Sequence, residues 1–399
     1  MRTRLSFALA VTLTLSVAAC GGGPDEEGGA ESYRVAIVSE LTGPAADPAG
    51  INHAAGAMAY FEQLNAAGGI NGHLIDYGTP YDTQGDATAA SAAIRRALEQ
   101  DPIAITGYIL TNSVAGAEAV LDSAGVPALL LGGPDEWLGP PPKPWYFNVG
   151  HGNWQQGAAL TRHAAKMLGG LSGKKVALVG LQSTAVDGAY RAAKAEIAAA
   201  GGTVTSERKI PLDQVDYTAD AAAIVAEDPD VVQVYLIGTA ATSFVKELQT
   251  AGYDGPILAW SAGAATHFLA EINSDNYYAV RDAVEPLETN VLGETAKAHG
   301  LADRATNIDF AAGWAAAKIL AEALKVCNGC RGQELIKTLE DLPPLEVSEA
   351  FVQPLEWTAD DHFGSRGYTL YQYDAATRSA VPASDPVVVS PNEAPRADS

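Results

Sequence analysis

Three consecutive polar residues, Thr111, Asn112 and Ser113, occupy a position suited to holding an anionic group. They follow the apolar run Ile103–Thr106 and open a helical pattern that begins near Asn112. The first N–H groups of a helix have no partner within the helix and attract negative charge, and hydroxyl groups add further donors. The pattern therefore favours a carboxylate site. Simple capping of the helix by Thr111 or Asn112 would explain the same residues.

Cys20 ends a segment with the layout of an export signal. Arg2 and Arg4 precede a mainly apolar stretch over residues 5–17, which is too short to span a bilayer comfortably. Small residues stand directly before Cys20, as in bacterial lipoprotein signals. This resemblance implies cleavage after residue 19, lipidation of the Cys20 thiol and anchoring on the extracytoplasmic face of the membrane. The Gly-rich acidic residues 20–32 would then form a flexible tether.

Cys327 and Cys330 enclose an Asn-Gly turn. An exported compartment is oxidising, so we expect these two cysteines to form a local disulfide. A zinc site would need two further ligands nearby, and the sequence has no second CxxC and no HxxxH. A redox-active CxxC opens a helix after a strand, whereas this pair follows an apparent helix that ends at Lys325.

Composition excludes several classes of function. The chain has 399 residues, with 25 Lys and Arg against 48 Asp and Glu, giving a net charge of −23 that disfavours nucleic acid. No GxSxG or HExxH motif occurs, no GxGxxG follows a strand, and the 7 histidines are scattered. The absence of these motifs argues against an enzyme, and the sequence predicts no metal and no cofactor. A serine hydrolase built from distant residues stays an alternative.

Short apolar runs alternate with longer Ala-rich amphipathic runs from Tyr33 onward, which predicts βαβ units and parallel sheets. The predicted strands are 34–39, 74–81, 103–106, 128–131, 146–149, 175–179, 204–210, 231–236 and 256–259. The predicted helices between them are 52–66, 86–99, 112–124, 153–168, 186–200, 218–226 and 240–251. The fold class is therefore α/β, with two doubly wound lobes whose strand ends share a crevice.

The later part of the chain changes character. A long apolar helix is predicted over 308–325 and a second helix over 333–339. Residues 346–357 and 367–373 resemble two strands of a hairpin with a longer loop. The Pro- and Ser-rich residues 381–399 are predicted to be a disordered tail.

Several segments resemble the extracellular ligand-binding receptors of branched-chain amino-acid ABC importers, which are type I periplasmic binding proteins. Each segment alone is a weak match, whereas the order and spacing of all the segments together are more specific to the family. The segments are YRVAIVSELTGP at 33–44, AMAYFEQLNAAGGING at 57–72, YDTQGD at 81–86, the loop, helix and AGVP of 107–127, NWQQG at 153–157 and FAAGWAAAKILAEAL at 310–324.

The resemblance implies a monomer with two lobes, three crossing segments and hinge closure over a small solute. Lobe one would comprise residues 33–150 and 283–360, and lobe two would comprise 151–282 and 361–380. It also implies an ABC permease as partner, to which the solute is delivered. An alternative is a sensing module that signals to a membrane receptor whether a ligand is bound.

The resemblance also implies the ligand-binding residues. Thr111, Asn112 and Ser113 would hold the ligand carboxylate. Gly132 and Gly133 stand where the family often has a hydroxyl residue; either a ligand approaches the backbone closely there, or the two glycines only form a turn before Pro134. Thr42, Trp154 and Trp260 would border the cleft.

Two departures bear on the ligand. Residues 184–188 lack the tyrosine that the family often has there, and 237–242 lack the acidic residue that binds a ligand ammonium. Asp187 or Glu285 would have to substitute. The resemblance to the family makes a branched-chain or related amino acid the first expected ligand. The two departures make an aromatic or amide-bearing acid the second.

We predict that Cys20→Ala releases the protein from the membrane. Loss of the thiol removes the lipid attachment, so the variant should move to the soluble fraction while the wild type stays with membranes. Cell fractionation and immunoblotting measure this. Equal partitioning of the two proteins would contradict a lipid anchor at Cys20.

Overall fold

The computed structural model describes residues 32–390, apart from 44, 285–289 and 302–306. The signal segment with Cys20 therefore lies outside the described residues, as does Glu285. No helix in the described part of the chain is long and apolar enough to cross a membrane.

Two separate sheets contain the strands. The strands are β1 (Tyr33–Ser39), β2 (Ile75–Asp76), β3 (Tyr81–Asp82), β4 (Ala104–Tyr108), β5 (Ala128–Leu131), β6 (Tyr146–Asn148), β7 (Lys175–Leu181), β8 (Thr203–Ile210), β9 (Val231–Tyr235), β10 (Ile257–Ala259), β11 (Tyr277–Arg281), β12 (Gly367–Asp374), β13 (Ser379–Pro382) and β14 (Val387–Val388). The first sheet is parallel, in the order β2-β1-β4-β5-β6, and β3 also pairs with β1.

The second sheet has the order β13-β12-β11-β10-β9-β7-β8, with β14 on β12. It is parallel from β8 to β11 and becomes antiparallel at β12 and β13. Strands such as β9 are buried along their whole length, as expected for parallel strands covered by helices on both faces. Two α/β lobes result, as the sequence predicts.

Helices cover both sheets. They are α1 (Ile51–Ala66), α2 (Ala87–Leu98), α3 (Thr111–Ala115), α4 (Glu118–Ala124), α5 (Asn153–Leu168), α6 (Thr184–Ala199), α7 (Thr218–Ala226), α8 (Gly238–Thr250), α9 (Thr266–Ile272), α10 (Val291–Ala298), α11 (Ile308–Cys327) and α12 (Gly332–Asp341). The single helix predicted over 112–124 is two short helices, because Gly116, a weak helix former, ends α3.

The predicted hairpin of 346–357 with 367–373 is wrong. Residues 346–357 form no strand and make only isolated bridges, such as Leu345 with Leu355. Their apolar side chains, including Val347 and Phe351, are buried in the core of lobe one. The backbone of β12 pairs instead with the open edge of the second sheet, at β11.

The tail predicted to be disordered from residue 381 is partly ordered. The end of β13 and all of β14 lie within it, and residues 391–399 lie outside the described residues. Val387 and Val389 are buried, and the carbonyl of Val389 accepts a hydrogen bond from Gln155 Nε2 on α5. Burial of these two valines outweighs the polar composition of the segment.

Cys327 and Cys330 form a disulfide at the end of α11, with their Cα atoms 5.4 Å apart. The expected pairing is therefore present in the structure. Gly329, inside this short loop, lies against the ring of Tyr33 at the start of β1. The disulfide loop thus packs against the first strand of lobe one.

Close packing of α1 against α11 forms one face of lobe one. A Cβ added to Gly313 would lie 1.9 Å from the carbonyl oxygen of His53, and one added to Gly56 would lie 2.0 Å from that of Phe310. Both approaches are shorter than any side chain allows. These two glycines therefore set the distance between the helices.

We predict that Gly313→Ala destabilises the protein by about 1–3 kcal/mol, the usual cost of overpacking. Glycine to alanine within a helix otherwise stabilises by roughly 0.5–1 kcal/mol, so the sign of the change is diagnostic. Denaturant unfolding measures it. Equal or greater stability of the variant would show that α1 and α11 separate without cost.

Candidate functional site

A cavity of about 240 Å³ lies between the lobes, where the carboxyl ends of their parallel strands meet. Every loop that lines it follows a strand, as expected for a ligand site in open α/β sheets. The lining residues are Gly85, Tyr108, Ile109, Leu110, Thr111, Asn112, Ser113, Gly132, His151, Asn153, Gln156, Leu181, Gln182, Ser183, Ala185, Leu212, Ile237, Trp260, Ser261 and Ala262.

Ser113 offers the cavity an unused hydroxyl. It is 2% exposed, its side chain makes no hydrogen bond to the described protein, and it lines the cavity. Thr111 is partly engaged, since its Oγ1 lies 3.4 Å from both the N and the O of Gly133. Because α3 has only five residues, its dipole is small, and the hydroxyl groups matter more than the helix dipole.

Asn112 connects the two walls of the cavity. Its Oδ1 accepts a hydrogen bond of 2.7 Å from Thr184 Oγ1, at the start of α6 in lobe two. The sequence predicts a ligand contact for this residue, and the structure places it in the cavity lining. Its side-chain oxygen is engaged in a contact between the lobes.

Gly132 and Gly133 follow β5 with φ values of 93° and 128°. A Cβ on Gly132 would lie 2.3 Å from the carbonyl oxygen of Ile109, so only glycine fits there. Gly132 lines the cavity, whereas Gly133 is not among the lining residues. The close approach of backbone expected at this point is thus found at Gly132.

Of the three remaining predicted residues, only Trp260 lines the cavity. Trp260 lines the cavity, and its Nε1 donates to the carbonyl of Leu236 at 2.8 Å. Thr42 does not line it, because its hydroxyl is bound by Asp82 at 2.6 Å. Trp154 also lies outside the lining and packs edge-on against Phe363.

The proposed substitutes for an acidic anchor do not line the cavity. Asp187 pairs with Lys209 at 2.5 Å on the outer side of lobe two. Glu285 lies outside the described residues. Among the lining residues there is no Asp, Glu, Lys or Arg.

His151 is a lining residue that sequence reasoning missed. Its Nδ1 lies 3.3 Å from Oδ1 of Asp282, which is 2% exposed. The two residues are 131 positions apart; His151 comes shortly after β6 of the first sheet, and Asp282 comes directly after β11 of the second sheet. Their positions after β6 and β11 are the signal that could have found them.

Burial lowers the pKa of the His151 imidazole, but the charge and hydrogen bond of Asp282, with Asp309 and Asp135 nearby, outweigh it, so the net pKa is raised. Burial raises the pKa of Asp309 to about 7, although His151 opposes this change. The second oxygen of Asp282 has no hydrogen-bond partner in the described protein. Three carboxyl groups therefore lie around the imidazole, with Asp282 buried and Asp309 and Asp135 half-buried.

Ser261 adds a hydroxyl to this cluster. Its Oγ lies 3.3 Å from Nε2 of His151 and 3.5 Å from Nδ1. An oxygen nearly equidistant from both ring nitrogens is not aligned with either lone pair, whereas a serine hydrolase needs a direct bond from the hydroxyl to one nitrogen. The backbone N–H of Ser261 is also occupied, since it donates to Gln156 Oε1 at 2.8 Å.

Asp135 ties the lobes together beside the cavity. Its carboxylate accepts hydrogen bonds from the backbone N–H groups of Asn153 and Trp154, at 2.9 and 2.7 Å. These are the first N–H groups of α5, so Asp135 of lobe one caps a helix of lobe two. Burial raises its pKa to about 6, against the effect of these bonds.

In the described part of the chain, no group of His, Cys, Asp or Glu could hold a metal ion.

We predict that Asp309 makes the protein less stable as pH rises. Its folded pKa of about 7 lies above the ordinary 3.8, so the stability present below about pH 4 is lost through pH 7. Relative to Asp309→Asn, the wild type should lose at most about 4 kcal/mol over this range, at about 1.36 kcal/mol per pKa unit. Denaturant unfolding at several pH values tests this, with exposed Asp213→Asn as the control. Parallel pH profiles for wild type and Asp309→Asn would contradict it.

Known proteins share both sequence and fold with this chain. The leucine-, isoleucine-, valine-, threonine- and alanine-binding protein of Pseudomonas aeruginosa is 30% identical over 97 residues, which cover 24% of this chain and only 26% of that protein. A branched-chain amino-acid ABC transporter protein of Thermus thermophilus, solved with bound valine, matches with a TM-score of 0.81 at 16% identity, over 91% of this chain and 98% of that one.

A fatty acid ABC transporter substrate-binding protein from Thermomonospora curvata matches with a TM-score of 0.77 at 17% identity, over 92% of this chain and 95% of that one. At such identities the solved structures establish the fold alone, which is the two-lobed type I architecture. The family model described as periplasmic binding protein matches residues 32–378. The chain therefore belongs to the periplasmic binding protein family, a solute-binding family.

Proposed function

We propose that the protein is the solute-binding lipoprotein of an ABC importer, which captures a small carboxylate-bearing solute between its lobes and delivers it to a membrane permease. Cys20 would anchor it on the extracytoplasmic face. The observation that carries the proposal is the cavity at the shared strand ends, with its buried, unpartnered Ser113 hydroxyl. The relatives' amino-acid and fatty-acid ligands support a carboxylate as the common feature.

The lining divides into a polar and an apolar part, which suits a small amphipathic acid. The hydroxyl of Ser113 and the backbone at Thr111 and Gly132 would receive the carboxylate. Leu181, Leu212, Ile237 and Trp260 supply apolar surface for the remainder of the solute. A volume of about 240 Å³ limits the occupant to a small molecule.

Capture would proceed by closure of the lobes about the crossing segments. The hydrogen bond between Asn112 and Thr184 supports this, because it joins the cavity walls in the conformation described here. A permease that recognises the closed form would then distinguish loaded from empty protein.

We predict that Ser113→Ala weakens binding of the carboxylate solute about tenfold or more. A hydrogen bond to a charged group contributes roughly 1.5–3 kcal/mol, and about 1.4 kcal/mol corresponds to a factor of ten. A thermal-shift screen of amino acids, aliphatic acids and aromatic acids identifies the solute, since a saturating ligand raises the melting temperature. Calorimetry then gives the affinity of each variant.

Ser123→Ala is the matched control, because its hydroxyl bonds only the Val120 carbonyl on α4, away from the cavity. Unchanged affinity in Ser113→Ala would remove this residue from the site. If no acid in the screen stabilised the wild type, the proposal of a carboxylate solute would fail.

A further inference from the structure

Among the residues that the structure describes, the cavity lining offers no carboxylate to a ligand ammonium. None of these lining residues is Asp or Glu, and burying an ammonium without a carboxylate is costly. Carbonyl and hydroxyl oxygens could accept from such a group, but they leave its charge uncompensated. The class of solute that binds therefore depends on the donors and acceptors of the cavity side that contains His151 and Gln156, here called the polar wall.

Asp282 is a carboxylate close to the wall, and it lies behind an imidazole. Asp282 is 2% exposed and does not line the cavity, whereas the His151 side chain is 22% exposed and does. Because Nδ1 faces the carboxylate, the proton on that nitrogen is donated to Asp282. The other nitrogen, Nε2, lies 3.3 Å from the hydroxyl of Ser261, and both residues line the cavity.

The charges that face His151 favour its protonated form. They are Asp282 from the segment after β11, Asp309 from the first turn of α11, and Asp135 from the loop after β5, all carboxyl groups. Together they hold the pKa of the imidazole above its ordinary value, despite burial. A protonated ring presents Nε2–H as a donor, and neutral imidazole would present an acceptor.

Gln156 adds a second donor to the same wall. Its Oε1 accepts from the backbone N–H of Ser261 at 2.8 Å, which fixes the orientation of the amide. The NH2 end is therefore the unused end of a side chain that is 1% exposed and lines the cavity. The polar wall thus offers two nitrogen donors, from His151 and Gln156, and no carboxylate.

We propose that this wall selects organic acids in which an oxygen acceptor takes the place of the ammonium of an amino acid, as in 2-hydroxy and 2-oxo acids. The inference rests on the proposed function and narrows its substrate class. Ser113 and its neighbours would hold the carboxylate, while His151 and Gln156 donate to the second oxygen. Asp282 then acts as a positioning residue, which orients the ring and keeps it charged.

The proposal predicts the direction in which the affinity for the solute changes with pH. An oxygen acceptor binds the protonated ring, so affinity for a hydroxy or oxo acid should fall as pH rises through the pKa of His151. Ionisation of Asp309 over the same range adds negative charge and acts in the same direction. An ammonium would show the opposite trend, because it binds better as the ring loses its proton and Asp309 gains charge.

Calorimetry on the full chain tests the proposal with three solutes that share one side chain: leucine, 2-hydroxy-4-methylpentanoate and 2-oxo-4-methylpentanoate. The hydroxy or oxo acid should bind at least tenfold more tightly than leucine, and more tightly at pH 6 than at pH 8. In His151→Gln this advantage should fall about tenfold, and its pH dependence should weaken to the contribution of Asp309 alone. His299→Gln is the matched control, since it removes an imidazole paired with Glu62 on lobe one, outside the cavity.

The solute series in the wild type tests the proposal even if His151→Gln fails to fold. Tightest binding of leucine, or affinity for the oxygen acids that rises with pH, would overturn the proposal and leave the proposed function standing. Unchanged affinities in a folded His151→Gln variant would overturn it as well. Failure of all three solutes and of every acid in the thermal-shift screen would overturn the proposed function itself.

Discussion

The arrangement of the two lobes depends on hydrogen bonds between the chain segments that connect one lobe to the other. The backbone N–H of Asn148 donates to the carbonyl of His362 at 3.1 Å, and that of Ser365 donates to Gly150 at 3.0 Å. Trp357 Nε1 donates to the carbonyl of Asn148 at 3.0 Å. These bonds join the segment at the end of β6 to the segment before β12, and the cavity lined by His151 lies beside them. Under the proposed closure, they would form the pivot about which the mouth of the cavity moves.

The same constraint explains why functional groups from distant parts of the sequence meet. His151 follows β6 of the first sheet, and Asp282 follows β11, the last parallel strand of the second sheet. Once the crossings are bound together, two residues far apart in the chain become neighbours. The acidic cluster around the imidazole is thus a product of the topology, and each lobe alone would contain only part of it.

The sequence predicts what depends on local pattern. Apolar runs buried on both sides predict the parallel strands, and the positions after them predict Thr111, Ser113 and Trp260 at the cavity. Thr42 could not be excluded from the sequence, because its retention by Asp82 depends on the pairing of β1 with β3.

Predictions also failed where long-range packing decides the outcome. The apolar residues of 346–357 suit a strand as well as they suit the irregular buried segment observed. The order of residues 381–390 depends on contacts with α5 that no local pattern reveals. The pair of His151 with Asp282 belongs to this class as well, since only the arrangement of the crossings brings the two residues together.

The hydrogen bond between Asn112 and Thr184 has a consequence for kinetics. It joins the two cavity walls, so under the proposed function an enclosed solute would leave only after this bond breaks. Its strength would therefore contribute to the dissociation rate, although the Thr184 side chain does not line the cavity. Affinities of related complexes differ mostly through dissociation rates. Residence time can thus be adjusted at the rim of the cleft while the solute-contacting residues, and hence specificity, stay the same.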